Sequence, residues 1–257
     1  MEKKYHVPAV EKAIRILDYV ARHPNATFSD IYESLSLSKS TTYQTLSTLE
    51  DSRYVRRTSD RRYQIDVGVL TLVQGILLQN DLVEVAREPL ERLARETGLT
   101  VHLCAFTDPY KAVCLYKIDG INFTIRNTAV GRELIMHTSA TGKVLLAWLS
   151  DEERQPYLQR IQFTKFTDTT ITSLDAYLAE LRLTRQRGYS VDNCEGAQGA
   201  MGIATPVLDR EGHILAAVSI GAVITEIPVD EYGKMAEKLR SVSEEIASRY
   251  AISSALR

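Results

Sequence analysis

Between Ser38 and Thr48, seven of eleven residues carry the hydroxyl of Ser or Thr, with Lys39, Tyr43 and Gln44 set among them. Such residues are mediocre helix formers. Thr42, Leu46 and Leu49 nonetheless fall at i, i+4 and i+7, the stripe of a helix that buries one side. The free side then presents short hydroxyls and one amide. A major groove about 12 Å wide receives a helix closely when the intervening side chains are short. Hydroxyls bond phosphates or base edges, and Gln44 has the two groups needed to pair with adenine. Lys39 and Ser40, near the helix start, are placed for either. Downstream, Arg53, Arg56, Arg57, Arg61 and Arg62 crowd into ten residues. Arginines on a short hairpin lie along phosphates or enter the minor groove. Taken singly, the two features also read as a polar surface helix and a solvated charge run. Together, in this order, they read as a surface for double-stranded DNA.

The elements around them fit that surface. "PAVEKAIRILDYVAR" (8–22) has Pro8 in the first turn and an apolar stripe of Val10, Ala13, Ile14, Leu17 and Val20 or Ala21. "TFSDIYESL" (27–35) reads as a short second helix with Thr27 as N-cap, and Ser38 caps a third that runs to Asp51. "YVRR" and "RYQI" alternate as two strands around "TSDR". Residues 1–66 therefore read as a winged helix-turn-helix. Residues 67–80 predict one helix with a wide apolar face, suited to lie between two copies of the chain, and the linker is drawn as 67–81.

The remainder, 82–257, has a mixed texture. A helix over 82–98 carries Pro89, which restarts or kinks it, and ends at Gly98. "TVHLCAFTD" and "KAVCLYKID" predict strands about a turn at Asp108-Pro109-Tyr110, and "NFTIRN" predicts another. Helices follow over 138–149, 150–161 and 173–188, then strands "YSVDNC", "GIATPVLD" and "HILAAVSIGA", then a long closing helix. Hairpins mixed with helices give an α+β fold.

Composition leaves few extremes. The chain has 257 residues, 44% apolar and 25% charged, with a net charge of −2. Residues 1–66 hold 11 Lys/Arg against 9 Asp/Glu, and the rest hold 20 against 24. A basic end on an acidic body suggests two jobs. Three cysteines form no disulfide framework, and "MEKKYHVPAVEK" has no signal-peptide core. The most apolar run, "VGVLTLVQGILL", is too short to span a bilayer. The expectation is a cytoplasmic protein with no membrane partner.

Two places in the second half read as ligand contacts. "HTSATGK" (137–143) opens a helix, whose exposed amides attract anions, and Ala140, Thr141 and Gly142 are small enough for a carboxylate to approach. Ordinary capping by Thr138 or Ser139 is the plainer alternative. The stretch is not a P-loop, since His137 stands at the upstream glycine position and Val144 at the Ser/Thr position. "VDNCEGAQGAMGIATPV" spaces Gly196, Gly199 and Gly202 three apart, which is not a dinucleotide fingerprint but a loop or bulge. Asp192 just precedes it, either as an acceptor for ligand hydroxyls or as a turn carboxylate. His102, Cys104 and Cys114 offer too few ligands for a metal and read as a satisfied core pair or buried thiol. No nucleophile elbow or His-Glu-x-x-His is present, so no catalytic residue and no cofactor is assigned.

"VPAVEKAIRILDYVA", "SLSKSTTYQTLSTLEDSRYV" and "RYQID" resemble the IclR family of bacterial transcription regulators. Lys39, Ser40, Thr41, Tyr43 and Leu46 match that family's recognition helix, while Gln44 stands where a basic residue is usual. "LERLARETGLTVHL", "LIMHTSATGKVLLAWL", "RGYSVDNCEGAQGAMGIATPVLD" and "GHILAAVSIGA" resemble the family's effector domain, which is similar to the GAF fold. The resemblance covers residues 8–250 and implies a small organic acid as effector. It implies an effector site at Ala140, Thr141, Asp192, Gly202, Ser219 and Gly221. Cysteine is common where Gly202 stands and an acid where Cys194 stands, so Gly202 should enlarge the cavity. With Asn193, Ser219 and Asp192 near, a hydroxylated acid such as a sugar acid is expected. The DNA contacts expected are Ser38, Lys39, Ser40, Thr41, Tyr43, Gln44, Arg56, Arg57, Arg61 and Arg62. The whole reads as a DNA-binding regulator, a repressor by the family's habit, acting as a homodimer or tetramer. The rival reading is a metabolic enzyme for a small carboxylate with an appended helical domain.

Overall fold

Pro8 starts the first helix without needing a donor, and Val7 precedes it in extended conformation. The computed structural model describes residues 7–72, 81–108, 111–121 and 128–255. The chain divides into two compact units, Met1–Gln79 and Asn80–Arg257.

In the first unit α1 (Pro8–Arg22), β1 (Ala26–Thr27), α2 (Phe28–Ser34), α3 (Lys39–Asp51), β2 (Val55–Arg57) and β3 (Arg62–Ile65) follow one another. Thr27 and Asp30 form a reciprocal capping box at α2. Ser38 caps α3 by accepting the Thr41 amide at 3.2 Å. Ile16, Val20, Ile31, Leu46, Leu49, Val55 and Tyr63 close the core. The sheet has a strand beyond the expected hairpin, with order β1-β3-β2. Two residues after the first helix, read as a break, pair with β3 through Ala26 and Tyr63.

The α1 stripe is a correction. Ile16 and Val20 are buried and Leu17 packs on the core, but Val10 and Ile14 are 55% and 54% exposed. Apolar residues lie on two sides of α1, and the core takes the side centred on Ile16. Residues 69–72 are helical. Residues 67–68 form a turn, so the helix begins two residues later than expected; residues 73–80 of the expected helix lie outside the described residues, as do Pro109, Tyr110 and the strand expected at 122–127.

The second unit is one antiparallel sheet between helices. Its strands are β4 (Thr100–Asp108), β5 (Lys111–Ile118), β6 (Ser190–Asn193), β7 (Ala200–Leu208) and β8 (Ile214–Val223), in the order β5-β4-β8-β7-β6. Helices α4 (Asp81–Thr97) and α8 (Tyr232–Ala255) pack together on one face, where Thr205 meets Ser243 at 2.8 Å. Arg92 and Arg249 of these helices pair with Glu88 and Glu245. The other face carries α5 (Ala140–Ala147), seated through Ala140, Val144 and Leu145 on Ala112, Ala204 and Ala217. Alanines on the strands let the helix lie close. Helices α6 (Asp151–Leu158) and α7 (Leu174–Arg187) form the next layer through Tyr157, Tyr177 and Leu181. Gly188 ends α7 at φ 83°, a left-handed cap that suits glycine. The fold is α+β, as expected.

Candidate nucleic-acid interface and effector cavity

The exposed side of α3 is narrower than the hydroxyl count suggests. Lys39, Ser40, Tyr43, Gln44 and Thr48 are exposed, with Tyr43 at 65%. Thr42 is buried and donates to the Ser38 carbonyl at 3.0 Å. Ser38 Oγ accepts the Thr41 amide and donates its own hydroxyl to Thr41 Oγ1 at 2.9 Å. The Thr48 hydroxyl bonds back to the Gln44 carbonyl at 3.0 Å. Of the expected contacts, Ser38 and Thr41 therefore build the helix start, while Lys39, Ser40, Tyr43 and Gln44 face solvent. The Lys39 ammonium lies 5.2 Å from the Tyr32 ring centre, which ties the helix start to α2.

The wing divides its arginines in the same way. Arg62 pairs with Asp60 at 3.0 Å and donates to the Asn25 carbonyl at 2.9 Å. Arg56 bonds the Gln64 side chain at 2.7 Å, and Arg57 lies over the Tyr63 ring at 5.8 Å. Arg61 sits in the turn at φ 62°, exposed and with no side-chain partner among the described residues. Strand alternation and turn geometry, which residue counting does not see, separate the tip from the frame. Asp60 is held below the usual carboxylate range, chiefly by the Thr58 hydroxyl, which helps to fix that tip.

In the second unit, Ala140, Thr141, Asp192, Gly202, Ser219 and Gly221 all line one cavity of about 720 Å³. Ser139 caps α5 by accepting the Gly142 amide at 3.1 Å. A Cβ on Gly142 would lie 2.6 Å from the Met136 carbonyl oxygen, so this approach requires glycine. Capping thus takes the third amide, while those of Ala140 and Thr141 have no acceptor among the described residues. Both remain for an anion. Below them Gly202 and Gly221 are direct partners on β7 and β8. Two missing side chains, side by side, open the trough. A Cβ on Gly202 would sit 3.7 Å from Ala140 Cβ and 3.8 Å from Asp192 Cβ, inside the space a ligand would use.

Asp192 reaches the cavity from β6, accepting the Glu195 amide at 2.7 Å. Burial pushes its pKa up to about 7, against the pull of that amide and of Lys143. Asn193 is a correction: it is exposed and does not line the cavity, because alternation turns it to the other face from Asp192. The loop after β6 is anchored by Lys143. Its ammonium, fully buried in α5, meets the Glu195 carboxylate and donates to the Val191 carbonyl at 2.8 Å. Desolvation raises the Glu195 pKa and Lys143 opposes that rise.

These surfaces have known counterparts. Residues 9–59 match the IclR helix-turn-helix domain, and residues 74–248 match the bacterial transcriptional regulator IclR C-terminal domain. The chain belongs to the IclR family. It is 31% identical over 236 residues to the HTH-type transcriptional regulator XynR of Escherichia coli, covering 91% of this chain and 93% of that one. It is 30% identical over 244 residues to the regulator KdgR of Dickeya chrysanthemi, covering 95% and 80%. The crystal structure of the Thermotoga maritima IclR protein aligns with a TM-score of 0.72 at 28% identity, covering 95% and 99%. As an IclR family member, the chain is a DNA-binding transcriptional regulator.

Against the IclR resemblance, two groups were missed. Lys143 and Glu195 form a buried pair that the sequence signals only by a lysine set within the apolar run "ATGKVLLA". His102, read as part of a satisfied core pair, lines the cavity with its Nε2 buried and without a partner among the described residues. Its position two residues before Cys104 on an alternating strand was the available signal.

Proposed function

We propose that this regulator is a repressor whose operator affinity is set by a small hydroxylated carboxylate, such as a sugar acid, bound in the second unit. The observation that carries the reading is the convergence of the Ala140 and Thr141 amides with Asp192, Ser219 and a glycine floor on one cavity. The carboxylate sits at the start of α5, favoured by the unpaired amides and the helix dipole. Asp192 and Ser219 take hydroxyls. Residues 1–66 bind double-stranded DNA, with Lys39, Ser40, Tyr43 and Gln44 of α3 in the major groove and Arg61 on phosphates or in the minor groove. Ser38, Thr41, Arg56, Arg57 and Arg62 hold that surface in shape and add to its field.

The chain works as a homodimer or tetramer in the cytoplasm. Val10 and Ile14 on α1, with Val67, Leu70 and Leu72, are exposed apolar residues of the first unit that support self-association. Two copies place two recognition helices on half-sites about one helical turn, or a multiple of it, apart. The acid prefers one of two states differing in that spacing and shifts the population. The action is binding, not turnover, a reading supported by membership of a family of transcriptional regulators.

Mobility shifts with the DNA upstream of the protein's own gene, with and without a panel of carboxylates, test this. Release of DNA by an acid recovered chemically unchanged is the expected result. Gly202→Val should abolish that response and keep DNA binding, because it fills the trough. An acid that is consumed, with no salt-sensitive DNA binding, would favour the enzyme reading instead.

A further inference from the structure

The cavity floor lies along two adjacent rows of one sheet, at Asp192, Gly202 and Gly221 in one and at Ser219 and His102 in the other. Asp192, Gly202, Gly221 and Thr100 are neighbours across β6, β7, β8 and β4, and the next row sets Ala204, Ser219 and His102 side by side. The first row makes space, and the second brings polar atoms to it. His102 is 5% exposed, yet its ring satisfies little. Nε2 is buried without a hydrogen-bond partner among the described residues, and Nδ1 stands 3.5 Å from Ser219 Oγ, the outer limit of a bond. A buried ring so poorly matched is unusual for a residue that serves packing alone. Burial lowers its pKa to about 4, Lys117 pushes the same way and Asp119 opposes, so the imidazole is neutral at physiological pH. A neutral imidazole has little to offer a carboxylate. It donates at one nitrogen and accepts at the other, which matches a hydroxyl.

We propose that His102 is a specificity-determining contact: with Ser219 it binds a hydroxyl of the bound acid and so selects hydroxylated acids over bare carbon chains of equal length. The proposal rests on the effector reading given above. The carboxylate lies at Ala140 and Thr141, and the hydroxyl lies toward β4 and β8. A ligand oxygen about 2.8 Å from both Nδ1 and Ser219 Oγ bridges them and completes the marginal contact. A ligand without that oxygen leaves both groups desolvated and poorly paired, which is how sites of this kind reject deoxy analogues.

The test uses calorimetry on the full-length protein with D-gluconate and D-galactonate as probes and hexanoate as the six-carbon control. Wild type should bind at least one aldonate more tightly than hexanoate. His102→Phe keeps a ring but no polar atom, and should lose on the order of tenfold in aldonate affinity with hexanoate unchanged. His102→Gln should recover most of the loss. Equal losses for both acids, or no loss for either, would overturn the proposal while leaving the effector site standing. Binding of neither acid class to wild type would overturn the effector reading and this proposal with it. A second readout needs no variant in the complex: in ¹⁵N-histidine-labelled wild type, the His102 ring nitrogens should shift on saturation with the aldonate and not with hexanoate. A His102 signal unmoved by the aldonate would overturn the contact.

Discussion

Arg61 and Lys143 are both cations in a protein read as binding anions at two places, and their surroundings are opposite. Arg61 stands at an exposed turn with no side-chain partner among the described residues. Lys143 has a side chain 1% exposed and is held by Glu195 and the Val191 carbonyl. The DNA surface keeps its charges in water, where they attract a polyanion from a distance and are screened by salt. The cavity has Lys143 locked behind its wall and Arg132 and Glu133 at its exposed side, and its inner wall offers a ligand amides, hydroxyls and a neutral imidazole. A small acid that must be told from similar acids is read more selectively by the fixed dipoles of the inner wall than by an exposed cation such as Arg132 at the cavity's edge, which attracts any anion. The comparison predicts large stability effects for removing the buried charge of the second unit, and binding effects without loss of fold for the exposed tip of the first.

The largest effect is expected at Lys143. Lys143→Met leaves Glu195 buried without its partner, at a cost of about 3–5 kcal/mol. Trp148, the single tryptophan, follows α5 directly and reports unfolding of this unit in urea by fluorescence. Replacing Glu195 by Leu as well should restore most of the stability, since a well-packed apolar pair has no charge to compensate. A small effect of Lys143→Met alone would break the contrast between the two cations.

Asp192 and His102 sharpen it through pH. The folded pKa of Asp192 is raised from 3.8 to about 7, so the native state holds a proton that the unfolded chain releases. That contribution lowers stability as pH rises from about 4 to about 7. His102 is lowered from 6.5 to about 4, so the unfolded chain holds the extra proton and stability falls as pH drops through that window. The two slopes oppose each other below pH 6.5. Asp192→Asn should therefore gain on wild type between pH 5 and pH 8 by on the order of 2 kcal/mol, read from urea midpoints. A constant difference across that range would mean that Asp192 is ionised throughout.

Much of the first unit was legible because its determinants are local. Pro8, Thr27 and Ser38 announce three helix starts, and the i, i+4, i+7 stripe on α3 is buried as read. What was not legible depends on distant neighbours. The pairing of Ala26 with Tyr63, the choice of Ile16 over Ile14 for the core, and the split of the arginines into frame and tip all require the hairpin to be folded against α1 and β1. In the second unit the strands were legible from alternation, but His102 meets Ser219 across 117 residues and Lys143 meets Glu195 across 52. Sequence spacing carries no trace of such pairs. The resemblance supplied the six cavity residues together, and the fold gathers them; it did not supply His102, whose importance lies in what its ring lacks.

On the DNA side, Gln44→Ala should leave the fold intact, since the side chain is exposed on α3. The loss is expected at one base pair, about 1–3 kcal/mol of discrimination, measured by mobility shift on a set of singly substituted operators. Uniform weakening on every operator would move Gln44 from base reading to phosphate contact.

The smallest change tests the wing, by comparing Arg61→Ala with Arg62→Ala. Arg61 has no structural duty in the described hairpin, so its removal should flatten the dependence of log affinity on log salt by about 0.9 and leave thermal stability unchanged. Arg62 holds Asp60 and the Asn25 carbonyl, so its removal should loosen the hairpin and lower stability, with a slope change that follows only from that loosening. Equal salt slopes and equal stability for the two variants would mean that the turn conformation of Arg61 confers nothing on DNA binding. In that case the distinction between tip and frame would fail, and the wing would act as a diffuse positive surface whose arginines are interchangeable.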